Sequence, residues 1–415
     1  MKKRAGNTIK MVILTALLGG FAGLLIWCFL KAVSVCTCYL WDMLPQSSGF
    51  KYLPIAVCAS GGLITGMLHR SFGDYPEELG TVMVKIKKDK HYDYHHITIM
   101  LICAFIPLVC GASVGPEAGL TGIIAALCYW VGDNVSFARE NTDMFSEIGE
   151  AVTLGQLFHS PLFGIIAVEE GEGQEILQAQ MSRGNKLLFY GISTASGVLT
   201  GGIMTHFLGA ALEGFPSFSE VTAESLDYIM LLVYIPLGLI LYALFELSEK
   251  LTAGLGRRIP VVLRETLCGA VTGIMTLTLP MVMFSGEEQM GELMETFISF
   301  SPLFLIGISI LKIIMTTFCI NLGLKGGHFF PLIFACVCMG FALSIILFPR
   351  DSGSHAAFAA AAVTGTVLGA QLKKPFTASL LLLLCFPVNV LIWVFLCAVT
   401  GKAAITALPI RYSRE

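Results

Sequence analysis

The sequence predicts an all-α, polytopic membrane protein built from two similar halves whose helices are interrupted inside the bilayer. Three observations carry this. Hydrophobic residues make up 55% of the 415 and charged residues 13%, about half the charged share of an ordinary soluble domain. Several apolar blocks reach the roughly 20 residues needed to cross the hydrocarbon core. Two Gly- and Pro-edged elements recur in the same order in each half of the chain, the pattern that a duplicated transporter unit leaves in a sequence.

Along the chain, Met11–Leu30 is the first apolar block and follows Lys2, Lys3 and Arg4. Its apolar run continues to about Trp41, beyond the ~7–15 residues of a signal-peptide core, so it reads as a long first membrane helix. Lys186–Leu208, Tyr228–Phe245, Val261–Phe284, Pro302–Ile320 and Phe376–Val399 read as further spans. Leu53–Leu68, Ile97–Cys110 and Gly119–Val131 are shorter and edged by Gly or Pro. Interrupted helices survive at membrane depth only where the freed backbone is buried in protein or lines a cavity.

Lys85, Lys87, Lys88 and Lys90 crowd one loop, Arg257, Arg258 and Arg264 another, and Arg411 and Arg414 close the chain. The positive-inside bias places these regions and both termini in the cytoplasm, and the cell membrane is the expected location. The expected organisation is one transmembrane domain over residues 1–415, without a soluble domain. Repeat one covers about 50–208 and repeat two about 227–408.

The chemistry concentrates in two turns. Gly111-Ala-Ser-Val-Gly-Pro-Glu-Ala-Gly119 delivers the chain to a helix starting near Glu117, and Gly326-Gly-His-Phe-Phe-Pro331 has the same layout about 212 residues later. Pro331 falls in a first helical turn, where its missing donor costs little. The first amides of a helix lack internal partners and carry partial positive charge. Two such ends aimed at one point bind a dehydrated anion without a formal cation. Pro161-Leu-Phe-Gly164 and Pro375-Phe-Thr-Ala378 are the second repeated element, about 214 residues apart. A carboxylate at membrane depth is a functional candidate by default. At a helix start, Glu117 either occupies the anion's place until protonated or simply stabilises its own helix dipole, and the residues alone leave both open.

These stretches resemble the CLC family of chloride channels and chloride/proton antiporters, from about Leu53 to Leu408. Gly111–Ile123 resembles the family's G-A-S-V-G-R-E-G-P-T-V-Q-I, and Gly326–Pro331 its G-G-I-F-A-P. Phe158-His-Ser-Pro-Leu-Phe-Gly-Ile-Ile-Ala-Val-Glu-Glu170 is similar to F-N-A-P-L-A-G-I-L-F-I-I-E-E with one apolar residue missing, and Gly365–Ala378 resembles the matching element of repeat two. The resemblance implies a CLC-type fold of two inverted repeats and a homodimer with one pathway per subunit. It implies Glu117 as the gating glutamate and the amides of Glu117, Ala118, Gly119, His328 and Phe329 along the anion path. With a one-residue gap the inner proton glutamate falls on Glu170; without it, on Gly171. The paired acids that end the apolar run favour Glu170.

Departures from the family pattern bear on the substrate. Its arginine before the gating glutamate is Pro116. Its G-S-G-I-P-E is reduced to Phe72-Gly-Asp-Tyr-Pro-Glu77, which puts Gly73 and Asp74 at the inner anion position. Gly401–Leu408 resembles G-K-P-L-Y-S-A-I, placing Ile405 where the anion-facing tyrosine would be. Both hydroxyls of the inner site are therefore missing. The expected function is transport of chloride or another small anion coupled to protons. A passive anion channel and a fluoride-selective exchanger are the alternatives. An enzyme is not expected, since neither a nucleophile–base pair nor a metal dyad stands at membrane depth.

No cofactor, metal or nucleic acid is expected. The cysteines inside apolar runs read as small hydrophobes. His91, His95 and His96 with Asp93 read as a solvated face beside the lysine loop, and Arg264 with Glu265 as interfacial anchors. Ser285-Gly-Glu-Glu288 resembles a family loop after a membrane helix and receives no chemistry.

Overall fold

A computed structural model describes residues 2–76, 94–134, 142–158, 160–169, 183–211, 216–218, 221 and 223–407. Among these the chain is helical throughout, without strands, and eight helices are long and apolar enough to cross a membrane. The lysine loop, His91, Asp93, Arg411 and Arg414 lie outside the described residues.

Helix α1 (Lys2–Cys38) has 37 residues, about 55 Å at 1.5 Å per residue, so it must tilt or project beyond a ~30 Å hydrocarbon layer. It continues through a π turn at Tyr39–Met43 into Leu44–Ser48 and stops at Gly49, whose φ of 61° is left-handed. Helix α2 (Leu53–Phe72) follows, then α3 (Ile97–Val109), α4 (Glu117–Asn134), α5 (Thr142–Leu157), α6 (Pro161–Glu169) and α7 (Arg183–Leu208). The second half holds α8 (Ser225–Gly256), α9 (Val261–Thr278), α10 (Glu287–Thr296), α11 (Pro302–Asn321), α12 (Phe329–Leu347), α13 (Ser352–Leu372), α14 (Pro375–Leu382) and α15 (Leu391–Ala407).

The packing explains why so many helices carry glycine. Helices α2 and α9 form the most extensive helix–helix contact among the described residues. A Cβ on Gly62 would strike the Glu265 carbonyl, and one on Gly269 the Cys58 carbonyl. The two backbones touch along this seam, the close approach by which membrane helices gain packing energy without a hydrophobic driving force. Helices α12 and α13 pack on each other and are buried along nearly their whole length, so protein surrounds them.

Two apolar runs that read as continuous spans are broken. Val261–Phe284 ends as a helix at Thr278 and turns through Pro280–Val282. Phe376–Val399 divides into α14 and α15, with Pro387 in the gap. Proline lacks the donor and clashes with the preceding turn. The freed Cys385 carbonyl accepts from the Phe218 amide at 2.8 Å, and Asn389 Nδ2 donates to the Val221 carbonyl at 2.7 Å. The linker between the halves thus satisfies the interruption.

Candidate functional site

Two turns meet in the interior. The Gly115 amide donates to the Gly327 carbonyl at 2.8 Å, and the Gly327 amide to the Gly115 carbonyl at 2.7 Å. This reciprocal pair is an isolated antiparallel bridge. Helix α4 starts at Glu117 and α12 at Phe329, each two residues beyond the bridge. Their N-terminal ends, with their unpaired amides, therefore open onto one spot. The first turn is held by a Ser113 Oγ–Thr316 Oγ1 hydrogen bond of 3.2 Å and by Trp41 Nε1 donating to the Val109 carbonyl at 2.9 Å.

Glu117 fills that spot. It is 4% exposed, and its Oε1 accepts from the Phe329 amide at 2.9 Å. The amides of Phe330 and of Glu117 itself also turn toward the carboxylate. Oε2 has no hydrogen-bond partner among the described residues, a costly condition for a buried oxygen. The carboxylate thus rests on the N-terminus of the opposite half's helix, where a free anion would bind. A Cβ on Gly115 or on Gly327 would collide with the Glu117 carboxyl group, so both glycines make the room it occupies.

Other residues expected at this site fall into place unevenly. Ala118 and Gly119 continue the first turn of α4, with Gly119 buried against Ala104. His328 is the N-cap residue of α12. Its Nε2 lies 3.3 Å from Gln371 Nε2, and its ring packs on Phe245 and Phe329. Pro331 stands in the first turn of α12, as its sequence position implies. Phe158, fully buried, sets its ring 4.9 Å from that of Phe330 and 5.0 Å from Phe163, which gives the site an apolar wall.

Gly73 caps the end of α2 with φ 108°. The Asp74 side chain is engaged by a lysine. Its Oδ2 pairs with Lys325 Nζ at 2.7 Å, and Lys325 also donates to the Asp74 carbonyl at 3.2 Å. Burial alone would raise the Asp74 pKa, but the Lys325 charge outweighs it and holds the carboxyl below its ordinary value. The side chain is thus a fixed negative charge, leaving its amide as the group able to face an anion. Ile405 is half-buried near the end of α15, which runs through it unbroken; the break that would free a helix N-terminus lies earlier, around Pro387.

Glu170 and Gly171 lie outside the described residues, and α6 ends at Glu169. Close to Glu169 the structure gathers acids that sequence reasoning missed. Glu147 on α5 is buried and accepts a hydrogen bond from the Tyr190 hydroxyl on α7. Glu150 is within electrostatic reach of Glu147, Lys374 and Tyr190, and Tyr190 also senses Glu169. Two acids three residues apart in an otherwise small and apolar stretch were the available signal.

Arg264 and Glu265 are not interfacial anchors. Glu265 is completely buried, its Oε1 lying 2.8 Å from His69 Nδ1 and 3.2 Å from Arg264 Nη2. His69 in turn bonds the Tyr75 carbonyl, which ties the end of α2 to α9. His69, Asp74 and Glu265 have the proximity of a metal-ligand set. Arg264 and Lys325 already supply the positive charge there, so the group reads as an ion-pair network. Glu224, Asp351 and His355 also come together; His355 bonds Asp227, which closes the capping box of α8 with Glu224.

The sequence profile described as "Voltage gated chloride channel" matches residues 61–406. No curated protein matches the chain. Among solved structures, a slow cyanobacterial Cl⁻/H⁺ antiporter superposes with TM-score 0.77 at 18% identity, covering 95% of this chain and 94% of that one. A CLC-type fluoride/proton antiporter gives TM-score 0.73 at 16% identity, with 95% of each chain covered. A eukaryotic CLC transporter gives 0.68 at 15% identity, over 96% of this chain and 72% of that one. These likenesses establish the CLC fold. With a family profile spanning most of its length and opposed helix ends joined at Gly115 and Gly327, the chain belongs to the voltage gated chloride channel family.

Proposed function

We propose that this protein exchanges a small monovalent anion for protons, with Glu117 as the gate. One observation carries the reading: the Glu117 carboxylate accepts the Phe329 amide at 2.9 Å with its other oxygen bare, in the position an anion would take. Protonation neutralises the carboxyl and weakens its hold on the helix amides. The side chain then leaves, and an anion replaces it. Carboxylate and anion compete for the same donors, so proton binding on one side and anion movement are linked. Glu170, or the neighbouring acids Glu147, Glu150 and Glu169, relays protons on the inner side. This is a transporter and not an enzyme, acting as a homodimer in the cell membrane with both termini in the cytoplasm. Liposome flux of chloride, fluoride, nitrate and protons tests it. Glu117→Ala is expected to abolish proton movement while anion leak persists; unchanged proton transport removes Glu117 from the mechanism.

Fluoride as the anion is the second reading. Gly73 and Ile405 offer no hydroxyl, and the fold is shared with a fluoride/proton antiporter. Backbone amides at the helix ends would then be the donors that replace the water around a small, strongly hydrated anion. Competition between fluoride and chloride in the same flux assay separates the two.

A further inference from the structure

The loop from Val282 to Glu288 was given no chemistry by sequence, yet the fold fixes it with unusual care beside the gate. Fully buried Lys312 donates to the Val282, Met283 and Phe284 carbonyls at 3.1, 2.7 and 2.7 Å. Phe284 adopts φ 51°, a conformation that bulky residues avoid and that persists only where surroundings enforce it. The Trp41 ring packs edge-on against Phe284 at 5.6 Å, and the Phe284 amide reaches the Gly111 carbonyl at 3.5 Å. Gly286, with φ 98°, sits against Phe334. The loop is thereby clamped to the same turn that carries Glu117.

Between this loop, the end of α1 and Pro116 lies a cavity of about 250 Å³, large enough to hold several waters. Asp42, Glu287 and Glu288 line it. It lies at the end of α1 remote from Lys2, Lys3 and Arg4. Pro116 in its wall is the residue before Glu117, and no lysine or arginine stands among the described residues that line the cavity. We propose that Glu287 is a proton-transfer residue that loads Glu117 from this cavity. The inference rests on the antiport reading above and adds its outer proton donor.

The step is a simple exchange. The O–H bond of neutral Glu287 breaks and an O–H bond forms at the bare Oε2 of Glu117, through cavity water. Glu287, left as a carboxylate, takes its next proton from solvent entering the cavity. Neutral Glu117 then yields the Phe329 amide to the anion. The groups facing Glu287 set its charge. Glu117 and Glu288 disfavour its ionisation, and the Ser285 side chain donates to it. Asp42 and Cys38 approach from the α1 end, Cys385 lies within its electrostatic reach from the α14–α15 break, and Lys312 engages the loop carbonyls. Burial first, then the Glu117 and Glu288 charges, push Glu287 up to about 8. It therefore holds a proton at neutral pH and loses it as pH rises through that value.

The test uses the full-length protein in phosphatidylcholine/phosphatidylglycerol liposomes. Proton movement driven by a chloride or a fluoride gradient is followed from about pH 6 to about pH 9 on the cavity side, since a titrating proton donor shows itself in the pH–rate profile. The parent should lose proton-coupled flux through about pH 8. Glu287→Gln should be about tenfold slower near neutrality and should lack that alkaline fall. Glu287→Asp should restore it, displaced to lower pH. Equal anion leak in Glu117→Ala and in the Glu117→Ala/Glu287→Gln double variant shows that the fold and the anion path are intact. Should Glu287→Gln fail to assemble, the Asp variant decides, and an alkaline limb identical to the parent's overturns the inference. A parent that moves protons while Glu287→Gln keeps its rate and profile overturns it alone. A parent that moves no protons at all overturns the antiport reading and this inference together.

Discussion

At the residue scale, the account depends on how little space surrounds the Glu117 carboxyl group. Glycine is required at 115 and 327 because a methyl group at either would overlap that carboxyl. Gly327→Ala should therefore expel the carboxylate from the Phe329 amide without altering any charge. The expected outcome in liposomes is a fall in the proton-to-anion flux ratio of about tenfold or more, the size of effect that removing a positioned acid–base group produces. Retention of the parental ratio would show that the carboxylate rests elsewhere. The position of Glu117 at a helix start was legible in the sequence, whereas the residues alone left open whether it takes an anion's place or only stabilises its own helix dipole. Glu265 was not legible. It follows Arg264 at the start of a span, which is where anchors also occur, and nothing in the linear order places His69 opposite it. The chemistry of Asp74 was likewise hidden, since its partner Lys325 stands 251 positions away.

At the element scale, glycine periodicity in α2 and α9 sets the distance between the halves. Gly269 faces the Cys58 carbonyl with no room for a side chain, so Gly269→Val must separate the two backbones or distort them. Overpacking a well-filled contact typically costs about 1–3 kcal/mol, and a rigid carbonyl offers less relief than a side chain. The expected result is a lower thermal unfolding midpoint in detergent, with loss of anion flux once the halves shift; an unchanged midpoint would mean that the seam is looser than described. Apolar length gave the six blocks read as spans, but α12 and α13, the two most deeply buried of the membrane-length helices, were not among them. The interruptions of those blocks followed less well. The run Phe376–Val399 contains Pro387, yet composition does not say that Phe218 and Val221 from a distant linker will satisfy the freed backbone there. Breaks announced by paired glycines, as at Gly115 and Gly327, were readable because they recur in both halves.

At the scale of the whole molecule, the duplicated pattern was the most informative feature, since it implied that two helix starts far apart in sequence would meet. The Gly115–Gly327 bridge realises that meeting. What pattern could not supply was the surroundings of the other buried acids. Glu147 and Glu150 stand three residues apart and Glu287 adjoins Glu288, yet nothing in the linear order places the first pair beside Tyr190 and Lys374 or the second on the cavity near Pro116. The central claim is that Glu117 and the transported anion compete for one set of amides. Calorimetric titration of fluoride and chloride into the purified protein tests this most directly, for the parent and for Glu117→Ala across a range of pH. The account predicts that the parent binds its anion more tightly as pH falls and the carboxyl is neutralised. Glu117→Ala should bind about tenfold more tightly than the parent at pH above neutrality, with no pH dependence left, about 1.4 kcal/mol for the removed competitor. Equal affinity in parent and variant, with the same pH dependence, would contradict it.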